Sequence, residues 1–162
     1  MKHLVTATLC AVALGACTRG DLYQPQNPFN LKEVEWATKR GSNSVTGKID
    51  APGSDGKTYP CTRAGLVPDS AYNRELMIRT TGSTEDGVFL QKDGTFVVMT
   101  GEWGKDLTER TTECGWKGHF FLENIPDGVW FFGAYGGSLK TGYIVRRRLE
   151  LRGNEKIVIN IP

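Results

Sequence analysis

The sequence contains a series of short segments in which apolar and polar residues alternate, separated by glycine and proline, and this pattern restricts the folds open to the chain. In the last segment Ile157, Ile159 and Ile161 fall on one side, whereas Lys156 and Asn160 fall on the other. A period of two is typical of a β-strand with one buried side. The pattern predicts seven to nine strands, from segments at 45–49, 63–67, 76–80, 88–91, 95–99, 119–122, 129–135, 143–151 and 156–161. An Asp-Gly turn at 93–94 favours a hairpin between the fourth and fifth of them.

These strands, with no long amphipathic helix between them, predict an all-β protein built as an antiparallel β-sandwich. The chain has 162 residues, which suits one domain. Four Trp, seven Phe and five Tyr supply enough apolar area for a core. The formal net charge is only +2, so the sequence argues against a nucleic-acid partner, which normally requires a strongly basic surface.

The N-terminus carries a separate signal. Lys2 and His3 precede an apolar run of eleven residues, 4–14, which is too short to span a bilayer as a helix but suits a secretory signal. The run ends in Leu14-Gly15-Ala16-Cys17, which resembles the lipobox of bacterial lipoproteins. The alternative is an ordinary secretory cleavage at Ala16 that leaves Cys17 as a plain thiol.

The lipobox resemblance implies cleavage before Cys17 and acylation of this residue, so that the membrane is a partner through the N-terminal lipid. Thr18 rather than Asp follows the cysteine, which by the same resemblance favours the outer membrane, with the domain on its periplasmic side. We therefore expect a signal peptide at 1–16, a lipidated tether at 17–43 and the sandwich at 44–162.

The predicted tether contains Pro25 and Pro28 and lacks a sustained periodicity. Residues 31–37 are expected to form a short helical turn or to dock on the domain through Trp36. Fully extended, about 26 residues would reach at most about 90 Å.

After processing, Cys61 and Cys114 are the two cysteines left for other roles. An even pair in an oxidising compartment favours a disulfide, and two unpaired buried thiols are the alternative. Processing also removes His3, which leaves His119 as the single histidine. A zinc site built on several histidines is thereby excluded, and no metal or other cofactor is predicted.

The segment 116–134 carries a more specific pattern: Gly118-x-Phe120, a hydrophobic residue, an Asn-Ile-Pro-x-Gly turn at 124–128 and then an aromatic strand. It resembles the carboxypeptidase regulatory-like domains, and residues 45–49 and 64–68 resemble two further strands of that family. The resemblance implies a prealbumin-like sandwich that acts as a non-catalytic module. The chain departs from the family pattern at 113–116 and 84–110.

Two groups of side chains are candidate binding residues. Arg146 and Arg148 project to one side of a predicted strand and suit an acidic partner, the alternative being an edge strand protected by charge. Phe121 and Trp130 belong to an aromatic group that cannot all face one core, so that either both sheet faces are covered or one exposes an apolar patch.

These observations predict a membrane-anchored binding or structural module, without catalytic residues, for an envelope protein or a glycan. The first alternative is a small envelope hydrolase or transferase that uses His119 with a carboxylate of Glu102, Glu113 or Asp127. A second alternative, which shares the lipid anchor and the broad fold, is the anchoring lipoprotein of a secretion apparatus.

Overall fold

A computed structural model describes residues 25–90, 110–138 and 140–161. Within these ranges the chain forms an all-β sandwich, as the alternating pattern predicted. Its strands are β1 (Asn43–Pro52), β2 (Thr58–Pro68), β3 (Gly87–Leu90), β4 (Arg110–Glu113), β5 (His119–Ile125), β6 (Gly128–Gly136), β7 (Tyr143–Leu151) and β8 (Lys156–Ile161). Two α-helices, α1 (Leu31–Val34) and α2 (Ala71–Thr81), and two 3₁₀ turns, Glu35–Thr38 and Trp116–Gly118, complete the described elements.

The strands form two layers. One layer has three strands in the order β5-β1-β8, and the other has five in the order β4-β2-β6-β7-β3. A hairpin joins the layers, because the end of β1 pairs with the start of β2 from Asp50 opposite Pro60 to Pro52 opposite Thr58. The edge strand β4 was not predicted from the sequence, because four mostly polar residues carry little alternation.

One strand pairing corrects the predicted architecture. β8 runs parallel to β1, with Ser44 opposite Lys156 and Ile49 opposite Ile161, whereas every other pairing between described strands is antiparallel. Alternation in a sequence reports which side of a strand is buried, but it carries no information on the direction of the neighbouring strand. The side itself was predicted correctly, since Ile159 is buried and Lys156 and Asn160 are exposed.

The core fills the space between the two sheets. Phe120 and Leu122 of β5 point inward, and they are 4% and 5% exposed. The ring of Phe120 lies 5.1 Å from that of Phe132 on the opposite sheet. Val45 of β1 and Trp130 of β6 belong to the same cluster and are fully buried.

Residues 76–80, which we expected to form a strand, belong instead to the eleven-residue helix α2. The side chain of Ser70 accepts a hydrogen bond from the backbone N–H of Asn73 at 3.1 Å and caps the N-terminus of the helix. Gly82 ends it in the left-handed conformation, with φ of 77°. The expectation was wrong because the apolar residues of α2 do not form a clean helical stripe, so that the short run 76–78 looked like part of a strand.

Helix α2 covers the outer side of the five-stranded sheet. Its Met77 packs with Val67 of β2 and Phe131 of β6. Phe131 points away from the main core, yet it is only 2% exposed. At Phe131 both faces of the five-stranded sheet are therefore covered, which was one of the two alternatives for the aromatic residues, and the cover is helix α2.

The second half of the predicted tether packs against the sandwich. The backbone N–H groups of Gln26 and Asn27 donate hydrogen bonds to the carboxylate of Glu75 on α2, at 2.7 and 2.8 Å. The ring of Phe29 meets that of Tyr72 edge-on at 5.7 Å. Both the short helical turn and the docking through Trp36 are confirmed, and the docked segment includes Gln26, ten residues before Trp36.

Of the predicted hairpin at 88–99 the structure describes only the part up to Leu90, which pairs with β7, and the rest lies outside the described residues. In the ranges that are described, none of the helices has the length and apolar character needed to cross a membrane.

Candidate functional site

The outer side of the three-stranded sheet turns a regular array of side chains toward solvent, and we name it the β5–β1–β8 face. Alternation and register place three residues of each strand in it: His119, Phe121 and Glu123 of β5, Ser44, Thr46 and Lys48 of β1, and Lys156, Val158 and Asn160 of β8. Helix α2 lies on the opposite side of the sandwich. Among the described elements, the face is thus formed by strands.

The centre of this face is apolar. Thr46 lies opposite Phe121 on one neighbour and opposite Val158 on the other. Phe121 is 52% exposed and Val158 is 60% exposed. The hydroxyl of Thr46 donates a hydrogen bond to the carbonyl oxygen of Phe120 at 3.0 Å. The middle row therefore presents a ring, a small side chain and an aliphatic group in line.

The adjacent row is polar. Lys48 lies between His119 and Asn160. Its ammonium group lies 3.0 Å from the carboxylate of Asp50, and its backbone N–H donates to Oδ1 of Asn160 at 3.1 Å. Because Oδ1 of Asn160 accepts this bond, the Nδ2 group of the same side chain remains as a hydrogen-bond donor. Hydrogen-bond donors and acceptors thus border the apolar centre.

A second aromatic side chain lies immediately before β5. Trp116 is 79% exposed, the most of any large apolar residue in the described ranges. The ammonium group of Lys117 lies 4.1 Å from the centre of its ring, within reach of a cation–π interaction. Lys117 and Gly118 both have positive φ, 56° and 75°, so the backbone turns sharply between the indole and the strand.

The predicted disulfide between Cys61 and Cys114 is present, with the two Cα atoms 5.7 Å apart. It joins the segment that carries Trp116 to β2, and the backbone N–H of Cys114 also donates to the carbonyl oxygen of Thr62 at 2.9 Å. The cross-link therefore restrains the exposed indole from one side.

Of the two predicted aromatic binding residues, only Phe121 lies at the surface. Trp130 is fully buried, and its indole N–H donates to the carbonyl oxygen of Pro126 at 3.2 Å. Its ring meets that of Trp36 edge-on, with centroids 5.1 Å apart. The prediction of Trp130 as an exposed binding residue is corrected, because the docked N-terminal segment and the core enclose it.

Arg146 is also enclosed, with 3% exposure. Its guanidinium donates to the carbonyl oxygens of Met77 and Ser83 at the C-terminal end of α2 and lies over the ring of Phe89. Burial lowers the pKa of Arg146 to about 10, against the opposing effect of the Asp86 carboxylate. This arginine stabilises the helix end and is not available to a partner, which corrects its prediction as a binding residue.

Arg148 lies on the same side of β7 and is half exposed. Its Nε donates to Oδ2 of Asp69 at 3.1 Å, and Nε of Arg74 donates to Oδ1 of the same carboxylate at 2.5 Å. The two arginines therefore join α2 to β7 through one carboxylate. The Asp69 side chain that they share is only 3% exposed. A free basic patch is therefore not formed by the pair predicted from the sequence.

Of the described carboxylates that an envelope hydrolase could use with His119, Asp127 lies far from it. His119 is the first residue of β5 and Asp127 lies two residues past its last, which places them about 20 to 25 Å apart along the chain. Asp127 accepts hydrogen bonds from Asn43 and from the N–H of Gly153, which lower the pKa of its carboxyl group. Oε1 of Glu113 lies 3.8 Å from a guanidinium nitrogen of Arg63. Glu102 lies outside the described residues. Nowhere in the described ranges do three or more His, Cys, Asp or Glu side chains gather as metal ligands would.

The comparisons with known proteins support the fold. No protein family model matches the chain, and no curated protein is similar to it. A solved structure of a proposed carbohydrate-binding protein from Pseudomonas aeruginosa is similar, with a TM-score of 0.55 and 17% identity. The match covers 84% of this chain and 98% of the other. At that identity the likeness extends to the sandwich architecture.

Most of the β5–β1–β8 face was not predicted from the sequence. Phe121 was singled out, but not Thr46, Lys48 or Val158. The signal for the last strand was present, because Lys156 and Asn160 were predicted to share one side and Val158 lies between them in phase. What was missing was the parallel pairing that brings residue 158 beside residue 46.

Proposed function

We propose that this protein is a non-catalytic binding module that is anchored by a lipid on Cys17 at the periplasmic side of the outer membrane and recognises a glycan through the β5–β1–β8 face. The observation that carries the proposal is the exposed row of Phe121, Thr46 and Val158, bordered by the polar row of His119, Lys48 and Asn160. The lipid anchor and its location follow from the lipobox at 14–17.

This arrangement suits a sugar chain for a chemical reason. A pyranose ring has apolar C–H faces and a rim of hydroxyl groups, so it requires an apolar platform with donors and acceptors beside it. Phe121 supplies an aromatic surface at small entropic cost, and Asn160 and Lys48 supply polar groups at the spacing of neighbouring strands, about 5 Å. The name of the similar Pseudomonas protein, which describes carbohydrate binding, supports the same class of ligand.

The test is direct binding of the purified mature chain to an array of bacterial envelope glycans, followed by titration of the best ligand. We expect Phe121→Ala to weaken binding by about tenfold or more, because loss of one stacking surface costs on the order of 1–2 kcal/mol. Tyr135→Ala is the matched control, since Tyr135 is an exposed aromatic residue on the opposite sheet. The Tyr135→Ala variant should bind the ligand with the affinity of the wild type.

Two results would contradict the glycan assignment. One is the absence of binding to every glycan while the domain is folded. The other is equal weakening by Phe121→Ala and Tyr135→Ala, which would show that the effect does not come from the face. Envelope proteins cross-linked to a photoreactive residue at position 121, with no glycan bound, would favour the alternative partner that the sequence predicted.

A further inference from the structure

The first described residues of the chain lie on the helix side of the sandwich. Gln26 and Asn27 are held by Glu75 on α2, and Phe29 packs on Tyr72 of the same helix. Helix α2 in turn packs on the outer side of the five-stranded sheet through Met77. The N-terminal connection therefore starts on the side of the molecule opposite the β5–β1–β8 face.

Only eight residues, 18–25, separate Cys17 from Gln26, which is bonded to Glu75. Whatever their conformation, nine Cα–Cα steps reach at most about 30 Å. This length is a third of the reach expected for a tether that extends to residue 43. The body therefore works close to its anchor.

The folded body is large compared with that reach. A domain of this length is about 35 Å across, so that a path around half of its surface is about 55 Å. The helix layer and the two sheets are stacked, with about 10 Å between the sheets. A connection of about 30 Å that starts beside Glu75 is thus too short to pass around the body and place the opposite face on the bilayer.

We infer that the anchored protein stands with the α2 side toward the membrane and the β5–β1–β8 face directed away from it. This inference rests on the proposed lipid on Cys17 and deepens the proposed glycan recognition. A face in this orientation meets a glycan that stands off the membrane, and it is out of reach of sugars on the lipid headgroups of its own bilayer. The partner is therefore a glycan polymer and not a glycolipid of the anchoring leaflet.

Energy transfer to the membrane surface tests the orientation. The lipidated full chain is reconstituted in phosphatidylethanolamine–phosphatidylglycerol vesicles that contain a headgroup-labelled acceptor lipid. A fluorescent amino acid is placed at Ile78 on α2 or at Val158 on β8, which are 52% and 60% exposed. Because two layers, about 20 Å, separate the positions, we expect transfer at position 78 to exceed that at position 158 by roughly twofold or more.

A lengthened connection is the matched control. Thirty Gly/Ser residues inserted between Asp21 and Leu22 would add flexible chain with a typical span of about 30 Å, which is enough to release the orientation. The difference between positions 78 and 158 should then disappear.

Three results would overturn the inference. Vesicle-bound protein that shows equal transfer at the two positions, or more at 158, would contradict the orientation while leaving the lipid and the glycan assignment intact. A difference that survives the insertion would show that the short connection is not its cause. Protein that fails to float with the vesicles would remove the anchor itself, and mass spectrometry of Cys17 distinguishes this failure from the others.

Discussion

The ring of Trp36, in the segment before the first strand, meets the ring of Trp130 in the core edge-on, with centroids 5.1 Å apart and an angle of 77° between planes. Gly128 makes this contact close, because a Cβ atom at that position would lie 2.1 Å from Cζ3 of Trp36. Arg110 secures the same segment by donating to the carbonyl oxygens of Ala37 and Lys39 at 2.9 and 3.2 Å. Residues 36–39 are thus part of the folded domain.

Trp36→Ala should therefore reduce the stability of the whole sandwich. We expect the free energy of unfolding to fall by about 2–4 kcal/mol, near the lower end for a buried tryptophan because Trp36 is only partly buried. Urea denaturation followed by intrinsic fluorescence measures it. Trp116→Ala is the control, and at 79% exposure it should change stability by less than about 0.5 kcal/mol. Equal losses in both variants would contradict the docking.

Gly47 should resist substitution because of the parallel pairing of β1 with β8. A Cβ atom on Gly47 would lie 1.8 Å from the carbonyl oxygen of Ile159, a backbone atom that cannot move without displacing β8. Gly47→Ala is expected to cost about 2 kcal/mol or more, as overpacked sites do. Gly115→Ala, where the nearest atom would lie 3.7 Å away, should be nearly neutral. Wild-type thermal stability in Gly47→Ala would exclude the close β1–β8 approach.

Removal of the disulfide should destabilise the domain without changing its fold. The bond between Cys61 and Cys114 closes a loop with a sequence separation of 53 residues, for which the chain-entropy model predicts about 4 kcal/mol. We expect a loss of about 2–4 kcal/mol in C61A/C114A, measured by urea denaturation. Reductant should lower the stability of the wild type to the level of the variant and leave the variant unchanged. A reductant effect in the variant would mean that another group is responsible.

Tyr143 should make stability depend on alkaline pH. Burial, with the charge of Asp50 as a smaller cause, raises the pKa of this phenol to about 12. The folded state thus keeps a proton that the unfolded state releases near pH 10, so the stabilisation is complete below pH 10 and is lost as the pH rises toward 12. The loss should reach at most about 3 kcal/mol over that range.

Tyr143→Phe provides the comparison for this titration. It removes the hydrogen bond from the phenol to the carbonyl oxygen of Tyr59, 3.0 Å long, and should cost about 1 kcal/mol at neutral pH. Its stability between pH 10 and 12 should fall less steeply than that of the wild type. Identical slopes would show that other groups control the alkaline transition.

The enclosed carboxylate of Asp69 should contribute more to the stability of the fold than a carboxylate in a more exposed ion pair. Asp69→Asn keeps the shape of the side chain but removes the charge that Arg74 and Arg148 share, which should cost about 2 kcal/mol. Asp50→Asn, which removes the partner of the partly exposed Lys48, should cost less than about 1 kcal/mol. The ratio of the two losses in urea denaturation is the measurement, and a ratio near one would contradict the link from α2 to β7.

The buried side of each strand was predictable because alternation is local. Phe120, Leu122 and Ile159 are buried as their positions in the pattern required. Helix α2 was not predictable by the same rule, since its short apolar run at 76–78 resembles part of a strand. Its capping residues, Ser70 and Gly82, were a signal that the pattern analysis did not use.

The candidate site was predictable only in part. Phe121 was identified because neighbouring aromatic residues cannot share one side of a strand. Arg146 and Trp130 were misplaced because a residue's phase in its strand says which side it takes, but not whether another element covers that side. Helix α2 encloses Arg146, and the segment around Trp36 encloses Trp130.

The alternating pattern was enough to predict an all-β sandwich and the inward side of its strands, because alternation involves residues that are neighbours in the chain. The disulfide was predictable because Cys61 and Cys114 are the two cysteines left after the expected processing, and the lipid on Cys17 stays a prediction. The structure was needed to show that β8 pairs with β1 in parallel, that Phe121 and Val158 share one exposed face, and that the chain is held at Gln26. Those properties depend on contacts between segments far apart in sequence, whose energies no local pattern encodes.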